Sequence, residues 1–337
     1  MTTLCITGGS GFVGRWLIRD LCREGYAVRA LARSNAAAEV VQRAGAEVVR
    51  AELTDQRALI EVLRGCGAVV HAAASTALWD ESGAAYTTNV TGTETLIAAA
   101  RAAGVPRFVH ISTEAVLLDS RGSPLIHVDE HTPYPQRPTG VYPETKGLAE
   151  RCVRTADGPG FTTIVLRPRL IWGPGDTSVL ALIIAAVQSG RWIWIGDGRH
   201  LTSTTHVANV AEGVRCALER GRGGQVYFLS DGAPTEFRQF IIDLLATQGV
   251  DPGTRTIGRG TAWMLARVME GLWRTFRLQG APPLYRTIVQ LMGAEVTVND
   301  QLARRELGYV GAMSREHGLR ELAEQAVATG TAFTNLG

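Results

Sequence analysis

Along the first 170 residues, short apolar runs alternate with longer segments in which apolar side chains recur every three or four positions. The short runs have the length and bounding turns of buried strands, and the longer segments have the spacing of amphipathic helices. The predicted strands cover residues 3–7, 26–32, 47–53, 68–71, 108–113 and 162–166, and the predicted helices cover residues 12–24, 36–44, 56–63, 84–103 and 142–157. This order predicts an α/β fold with a parallel sheet.

A glycine-rich turn joins the first predicted strand to the first predicted helix. Gly8 would permit a tight turn, Gly11 would let the backbone approach a pyrophosphate, and Gly14 would let the helix pack closely. The phosphates would lie at the helix N-terminus. The other predicted contacts of this turn are Ser10, Phe12 and Val13.

The turn and the strand order together indicate a Rossmann-type doubly wound parallel sheet. We expect a dinucleotide-binding domain in residues 1–170 and a smaller C-terminal substrate-binding lobe in residues 171–337, where the alternation weakens. The lobe should be partly interleaved with returning elements of the first domain near residues 200–230.

The ends of the next strands supply further predicted cofactor contacts. Arg33 and Ser34 follow the second strand, where such a fold places the group that contacts the adenosine ribose. The guanidinium of Arg33 suits a 2′-phosphate, so NADP(H) is favoured over NAD(H). The alternative, in an arginine-rich chain, is a solvated strand end, and NAD(H) then stays possible. At the next two strand ends, the expected contacts of the adenine and riboses are Glu52, Leu53, Ala72, Ala73 and Ala74.

Lys146 is the only lysine of the chain, and it stands four residues after Tyr142 in a predicted helix. This spacing puts both side chains on one face, about 5 to 6 Å apart at Cβ. A cation about 5 Å away stabilises a phenolate by roughly 3 kcal/mol at an effective dielectric near 20, so we expect a lowered pKa for Tyr142. Tyr142 would then donate and accept protons near neutral pH.

Charge and composition exclude several function classes. The net charge of +2 comes from 34 basic and 32 acidic residues without a basic tract, so nucleic acid is not an expected partner. Five scattered cysteines without a close pair predict reduced thiols and a cytoplasmic protein. The histidines show no metal-ligand spacing, so we expect no metal site.

Aromatic residues and one amphipathic segment bear on the substrate. The tryptophans favour an apolar ligand, and we take Trp79 and Trp172 as candidate substrate contacts. Residues 262–276 place apolar side chains at helical spacing with arginines between them. This predicted helix is either a lid on the lobe or a peripheral contact with a membrane surface.

Three motifs together carry a resemblance to a known family. The glycine turn, Ser112-Thr113 after the fifth strand and Tyr142-Pro143-x-x-Lys146 occur in this order. Over almost its whole length the chain resembles an extended short-chain dehydrogenase/reductase. Tyr-Pro-x-x-Lys followed by Gly-Leu-Ala-Glu at 147–150 is similar to the 3β-hydroxysteroid dehydrogenase/isomerase family, and so are residues 167–176, 205–210 and 303–309.

The resemblance implies roles for individual residues. Tyr142 would be the general acid/base, and Lys146 would hold the nicotinamide ribose. Thr113 would bind the substrate oxygen, with Ser112 as the alternative. Asn89 matches the family's helix asparagine, and a homodimer would form through the helices that hold Asn89 and Tyr142. The residues implied beside the nicotinamide carboxamide are Pro168 and Leu170.

The resemblance also implies a function, an NAD(P)-dependent oxidoreductase that interconverts a ketone and a secondary alcohol. Its small apolar substrate would be a 3-oxo or 3β-hydroxy steroid or a long-chain 2-alkyl-3-oxoalkanoate. A nucleotide-sugar epimerase or dehydratase is one alternative. Such enzymes commonly carry an arginine for the diphosphate where this chain has the candidate substrate contact Thr202, which counts against them, although Arg199 could replace it. The other alternative is a cofactor-sensing regulatory protein on the same fold.

Overall fold

A parallel sheet of seven strands forms the centre of the protein in the computed structural model, which describes residues 2–80 and 82–328. The strands of these residues are β1 (Thr3–Thr7), β2 (Ala27–Leu31), β3 (Glu47–Val49), β4 (Ala68–His71), β5 (Arg107–Ile111), β6 (Leu125–Val128), β7 (Thr162–Pro168), β8 (Ile171–Trp172), β9 (Trp194–Ile195), β10 (Leu201–Thr202), β11 (Thr205–His206), β12 (Gln225–Leu229), β13 (Thr235–Glu236), β14 (Thr256–Ile257) and β15 (Val296–Val298).

Helices alternate with these strands. The α-helices are α1 (Phe12–Arg23), α2 (Asn35–Ala44), α3 (Gln56–Leu63), α4 (Ala84–Tyr86), α5 (Gly92–Ala102), α6 (Val141–Thr155), α7 (Val179–Gln188), α8 (Val207–Arg220), α9 (Phe237–Ala246), α10 (Arg259–Phe276), α11 (Arg286–Gly293) and α12 (Arg315–Ala328). A π-helical turn at Thr87–Thr91 joins α4 to α5, a 3₁₀ turn covers Glu114–Leu117, and a second π-helical turn covers Ala303–Leu307.

The strand order of the main sheet is β12-β7-β5-β4-β1-β2-β3, and all neighbours are parallel. The order reverses between β1 and β4. In such sheets, ligands bind outside the carboxyl ends of the strands at this reversal. The predicted Rossmann-type fold is confirmed.

Two apolar layers hold helices on both faces of the main sheet. Along β1, Leu4 and Ile6 point to the face covered by α1, α2 and α8, while Cys5 points to the face covered by α3, α5 and α6. This alternation is the period of two that a pleated strand imposes. Because both faces are buried, the strands read as continuous apolar runs in the sequence.

Most predicted elements of the first 170 residues match the structure, and the differences lie at the carboxyl ends of two strands and within one helix. The predicted strand 47–53 ends at Val49, and the predicted strand 108–113 ends at Ile111. Thr113 leaves the sheet because its side chain accepts the Ala115 N–H and begins the 3₁₀ turn. The predicted helix 84–103 is interrupted by the π-helical turn that contains Asn89.

The two parts of the chain exchange strands. β12, from beyond residue 170, completes the main sheet, and β6, from before it, joins a four-stranded sheet of order β13-β10-β15-β6 in the lobe. The core of the lobe contains Trp172, Trp194 and Phe240. None of the helices in residues 2–80 and 82–328 has the length and apolarity needed to cross a membrane.

Candidate active site

The loops after β1 and β4 touch at the reversal of strand order. Gly8 has φ +72°, and a Cβ built there would lie 2.6 Å from the backbone nitrogen of Ala73. A Cβ on Gly14 would lie 2.1 Å from the Gly8 carbonyl oxygen. Any larger residue at Gly8 or Gly14 would force these backbone segments apart.

The N-terminus of α1 is available to an anion. Its N-cap, Gly11, is exposed and has no side chain to satisfy the first N–H groups, and the first turn of α1 contains no acidic residue. Free N–H groups and the helix dipole both favour a phosphate at such a terminus. The turn therefore fits the pyrophosphate of a dinucleotide.

Next to this turn, the end of β2 presents a free guanidinium. Arg33 is exposed and makes no side-chain hydrogen bond or ion pair within the described chain. The Ser34 side chain accepts the Ala37 N–H at 3.2 Å and caps α2. Glu52 is exposed after β3, while Leu53 lies against Gly92 of α5.

Tyr142 lies in the first turn of α6, close enough to Thr113 for that side chain to lower the pKa of the phenol. Thr113 donates its hydroxyl proton to Glu114 Oε2 at 2.8 Å and accepts the Ala115 N–H at 3.2 Å. Arg169 in turn donates to Glu114 Oε1 at 2.9 Å. Thr113, Glu114 and Arg169 therefore form a continuous hydrogen-bonded chain beside Tyr142.

The expected lowering of the Tyr142 pKa is wrong for this structure. Burial and the nearby Glu114 carboxylate raise the pKa of Tyr142, and the hydrogen bond with Thr113 opposes them only in part. The Lys146 amine does not offset these effects because it points back to the sheet, where it donates to the Ile111 carbonyl at 2.8 Å. Helical spacing predicts proximity of two side chains but not the direction of the ammonium.

Lys146 itself is buried at the end of β5. Its Nζ lies 3.4 Å from His110 Nε2. Burial lowers the pKa of Lys146 to about 8, although Glu150 raises it. Burial and Lys146 also lower the pKa of His110, so this histidine is a neutral neighbour.

Ser112 and Thr113 point to different partners. Ser112 donates to Glu150 Oε2 at 2.5 Å, and Glu150 is held by two nitrogens of Arg167 in a second buried ion pair. Thr113 is the one that contacts Tyr142. The geometry thus favours Thr113 over Ser112 as the hydroxyl beside the reacting oxygen.

Asn89 forms hydrogen bonds that connect the segments around α6. Its amide nitrogen donates to the Ser75 carbonyl and to Thr145 Oγ1, both at 3.0 Å, and its Oδ1 accepts the Ser75 N–H at 2.7 Å. These bonds join the loop after β4 to α6. They support a positioning role for Asn89.

Two candidate substrate contacts are wrong. Trp172 is 1% exposed, donates to Asp231 Oδ2 at 2.8 Å and packs against Phe240 in the core of the lobe. Thr202 is fully buried behind Arg169, whose Nη2 lies 3.4 Å from its hydroxyl. Neither side chain can reach a substrate, because each is enclosed by protein on all sides.

The remaining candidates lie at the border between the sheet and the lobe. Trp79 is half-buried beside Tyr285, with ring centroids 6.1 Å apart. Pro168 ends β7, and Leu170 follows in the left-handed region with φ +43°. A left-handed conformation is uncommon for leucine and occurs where the surrounding structure holds it.

Sequence patterns did not single out the two buried glutamate–arginine pairs. Glu114–Arg169 and Glu150–Arg167 each have both side chains at most 5% exposed. Arg167 and Arg169 come at the end of an apolar strand with one residue between them. This position is the only feature of the sequence that points to the two ion pairs. A charge that ends a buried strand needs a partner.

The fold and the arrangement of Thr113, Tyr142 and Lys146 define an extended short-chain dehydrogenase/reductase. The model of the 3-beta hydroxysteroid dehydrogenase/isomerase family matches residues 5–258. The chain belongs to this family. It is an oxidoreductase that uses a nicotinamide dinucleotide.

Two named relatives agree with this membership, and a solved structure shares the fold. The chain is 48% identical over 323 residues to a 4-hydroxy-2-methyl-3-oxo-4-farnesyl-3,4-dihydroquinoline-1-oxide ketoreductase of Stigmatella aurantiaca, covering 96% of each chain. It is 33% identical over 336 residues to a 2-alkyl-3-oxoalkanoate reductase of Stenotrophomonas maltophilia, covering 96% of this chain and 99% of the relative. A dTDP-glucose 4,6-dehydratase from Streptomyces venezuelae, solved with NAD and TYD, covers both chains fully with a TM-score of 0.75 at 24% identity and shares the fold.

Proposed function

We propose that the protein reduces the ketone of an apolar substrate to a secondary alcohol, with NADPH as the favoured hydride donor. The observation that carries the proposal is the placement of Thr113, after the carboxyl end of β5, beside the Tyr142 phenol in the first turn of α6. Two adjacent hydroxyls at this edge suit a carbonyl oxygen, because one can hold the oxygen while the other transfers a proton.

Tyr142 acts as the acid. Because burial and Glu114 raise its pKa, the phenol stays protonated at neutral pH, the state in which it can donate. When bound, a nicotinamide would supply the hydride for the carbonyl carbon, and Tyr142 would give its proton to the carbonyl oxygen. Lys146, one helical turn away, would hold the nicotinamide ribose.

Thr113 positions the carbonyl oxygen. When its hydroxyl proton rotates away from Glu114, Thr113 donates a hydrogen bond to the carbonyl oxygen of the substrate. Arg169 remains paired with the Glu114 carboxylate during this change. The buried pair thus lets Thr113 change partners without leaving an unpaired charge.

The cofactor assignment rests on the ends of β1 and β2. Gly8, Gly11 and Gly14 would hold the pyrophosphate, and Arg33 would contact the 2′-phosphate of NADP(H). Arg33 supports this role because its guanidinium is exposed and unpaired in the described chain.

The names of two relatives narrow the substrate class. Both describe a 3-oxo group beside a carbon that carries an alkyl group, a 2-methyl group in one and a 2-alkyl group in the other. We propose that this protein also acts on a ketone flanked by an alkylated carbon, within a molecule that has a long hydrocarbon chain. Trp79 is the remaining aromatic candidate for contact with that chain.

A cofactor-consumption screen tests the proposal. NADPH oxidation is followed with a 2-alkyl-3-oxoalkanoate, a farnesylated cyclic ketone, a 3-oxo steroid and a UDP-sugar, and the alcohol formed is measured. We expect NADPH loss matched by alcohol on one or more of the three ketones. Tightly bound oxidised cofactor, together with sugar turnover and no net NADPH loss, would contradict the proposal and indicate an epimerase or dehydratase.

A further inference from the structure

Helix α10 carries a row of exposed apolar side chains along its outer face. Met264, Val268, Leu272 and Phe276 follow one another at four-residue spacing, and Leu265 lies beside them. Their exposed fractions range from 36% for Leu265 to 66% for Phe276. Of the twelve large apolar side chains that are exposed in the described residues, six lie between 264 and 278. We call Met264, Leu265, Val268, Leu272 and Phe276 the α10 row.

The inner face of α10 is fixed to the protein. Ala262 and Ala266 are completely buried, and Glu270 forms an ion pair of 2.7 Å with Arg286 of α11. Arg259 also donates to the Gly122 carbonyl. Because these contacts hold the helix in place, the α10 row faces outward as part of the folded surface. It is not the inner side of a displaced helix.

Cations border the row, and no exposed carboxylate lies on the helix. Residues 259–278 contain four arginines and one acidic residue, Glu270, which is buried against Arg286. Arg267, Arg274 and Arg277 are exposed beside the row. The chain as a whole is nearly neutral, with a net charge of +2, so this is a local concentration of positive charge.

We infer that α10 docks the protein on an anionic lipid surface. An apolar stripe flanked by arginines matches an interfacial helix, in which the apolar side chains enter the acyl region and the cations contact phosphates. A second copy of the chain suits the surface less well. A twofold contact would set the arginines of one α10 against those of the other.

The edge of α10 that carries Arg274 leads toward α6. The guanidinium of Arg274 lies 5.2 Å over the ring of Trp79. On α11, Thr287 donates to the carbonyl of Thr139, three residues before Tyr142. An apolar substrate dissolved in the lipid would therefore meet the protein on the side of Trp79. This last step rests on the proposed function, whereas the docking does not.

Vesicle co-sedimentation tests the docking. Vesicles of phosphatidylcholine with phosphatidylglycerol are compared with phosphatidylcholine alone, using the wild type and Leu272→Asp/Phe276→Asp. The matched control is Leu182→Asp/Val327→Asp, which changes two exposed apolar residues on other helices. We expect the row variant to bind anionic vesicles about tenfold more weakly or worse, and the control to bind like the wild type.

A second variant tests the charges. Arg267→Gln/Arg277→Gln should weaken binding to anionic vesicles and reduce its dependence on salt. Equal binding by the row variant and its control, or no binding by the wild type, would overturn the inference. A change from dimer to monomer in the row variant would also overturn it, because a second copy would then cover the row. Turnover of a short, water-soluble ketone should stay unchanged in the row variant, which separates failure of docking from failure of the proposed reaction.

Discussion

Arg169 and Glu114 form a buried ion pair, with 2.9 Å between Nη1 and Oε1, directly behind the hydroxyl of Thr113, which lies beside Tyr142. Arg169 also donates to the Leu291 carbonyl at 3.0 Å. The pair therefore joins the carboxyl edge of the main sheet to α11. Glu114 belongs to the electrostatics of the site because its charge raises the pKa of Tyr142.

Glu114→Gln should lower the pKa of Tyr142, because the amide removes the negative charge that disfavours the phenolate. In alcohol oxidation, which requires the phenolate, the acid limb of the kcat profile should move to lower pH. The substitution also leaves Arg169 without its partner and should destabilise the fold by about 3–5 kcal/mol. Glu150→Gln is the control, since it breaks the other buried pair without removing a charge that acts on Tyr142. If the acid limb of Glu114→Gln stays at the pH of the wild type, Glu114 does not raise the pKa of Tyr142.

The lowered pKa of Lys146 should appear in the pH dependence of stability. Between about pH 8 and its ordinary value of 10.5, the unfolded chain keeps the lysine proton while the folded protein loses it. The folded state therefore gains stability from this group as pH rises, by up to about 3 kcal/mol.

Comparison with Lys146→Met isolates that contribution. The unfolding free energy of the wild type minus that of Lys146→Met should increase from pH 7 to pH about 9.5. Denaturant unfolding at several pH values measures it. A difference that falls with rising pH would mean that the lysine gains a favourable partner in the fold.

Gly14→Ala should abolish dinucleotide binding and destabilise the fold by about 1–3 kcal/mol or more, because the added methyl would overlap the Gly8 carbonyl. Gly271→Ala is a matched control on α10, where a Cβ meets nothing within 4 Å. It should stabilise the protein by about 0.5–1 kcal/mol, since alanine is the better helix former. Calorimetry and cofactor titration measure both effects, and normal cofactor binding by Gly14→Ala would refute the predicted contact.

Arg33→Ala should weaken binding of NADPH by about tenfold or more while leaving NADH nearly unaffected, because only NADPH carries the 2′-phosphate. The control is Arg43→Ala, which removes an exposed arginine that pairs with Glu39 on α2. Dissociation constants for both cofactors give the ratio directly. Equal losses for NADPH and NADH would show that Arg33 does not contact the phosphate.

Much of the fold could be predicted because the strands of a doubly wound sheet are buried on both faces and separated by amphipathic helices. The ends of strands were less predictable. The backbone leaves the sheet at Thr113, whose side chain accepts the Ala115 N–H. The pattern of apolar residues does not predict such a local hydrogen bond. The pairing of β6 with a sheet of the lobe depends on contacts between distant segments, which a local pattern does not encode.

The candidate site was predictable in its positions but less so in its electrostatics. Motif order placed Gly8, Thr113 and Tyr142 at one edge of the sheet, and the structure brings them there. The pKa of Tyr142 was predicted with the wrong sign, because it is raised by burial and then by the Glu114 carboxylate, and both effects arise only when the chain is folded. Trp172 failed as a substrate contact for a similar reason, since burial in the lobe depends on Phe240 and Asp231.

The central claim is that Tyr142 donates the proton in a ketone reduction. The most direct measurement compares wild type and Tyr142→Phe, with NADPH titrated by fluorescence and kcat measured on the best ketone of the screen. We predict that Tyr142→Phe binds NADPH like the wild type while kcat falls by about 10²–10⁴-fold, because the fold and the cofactor turn stay intact and only the acid is lost. Retention of the wild-type kcat by Tyr142→Phe would contradict the account.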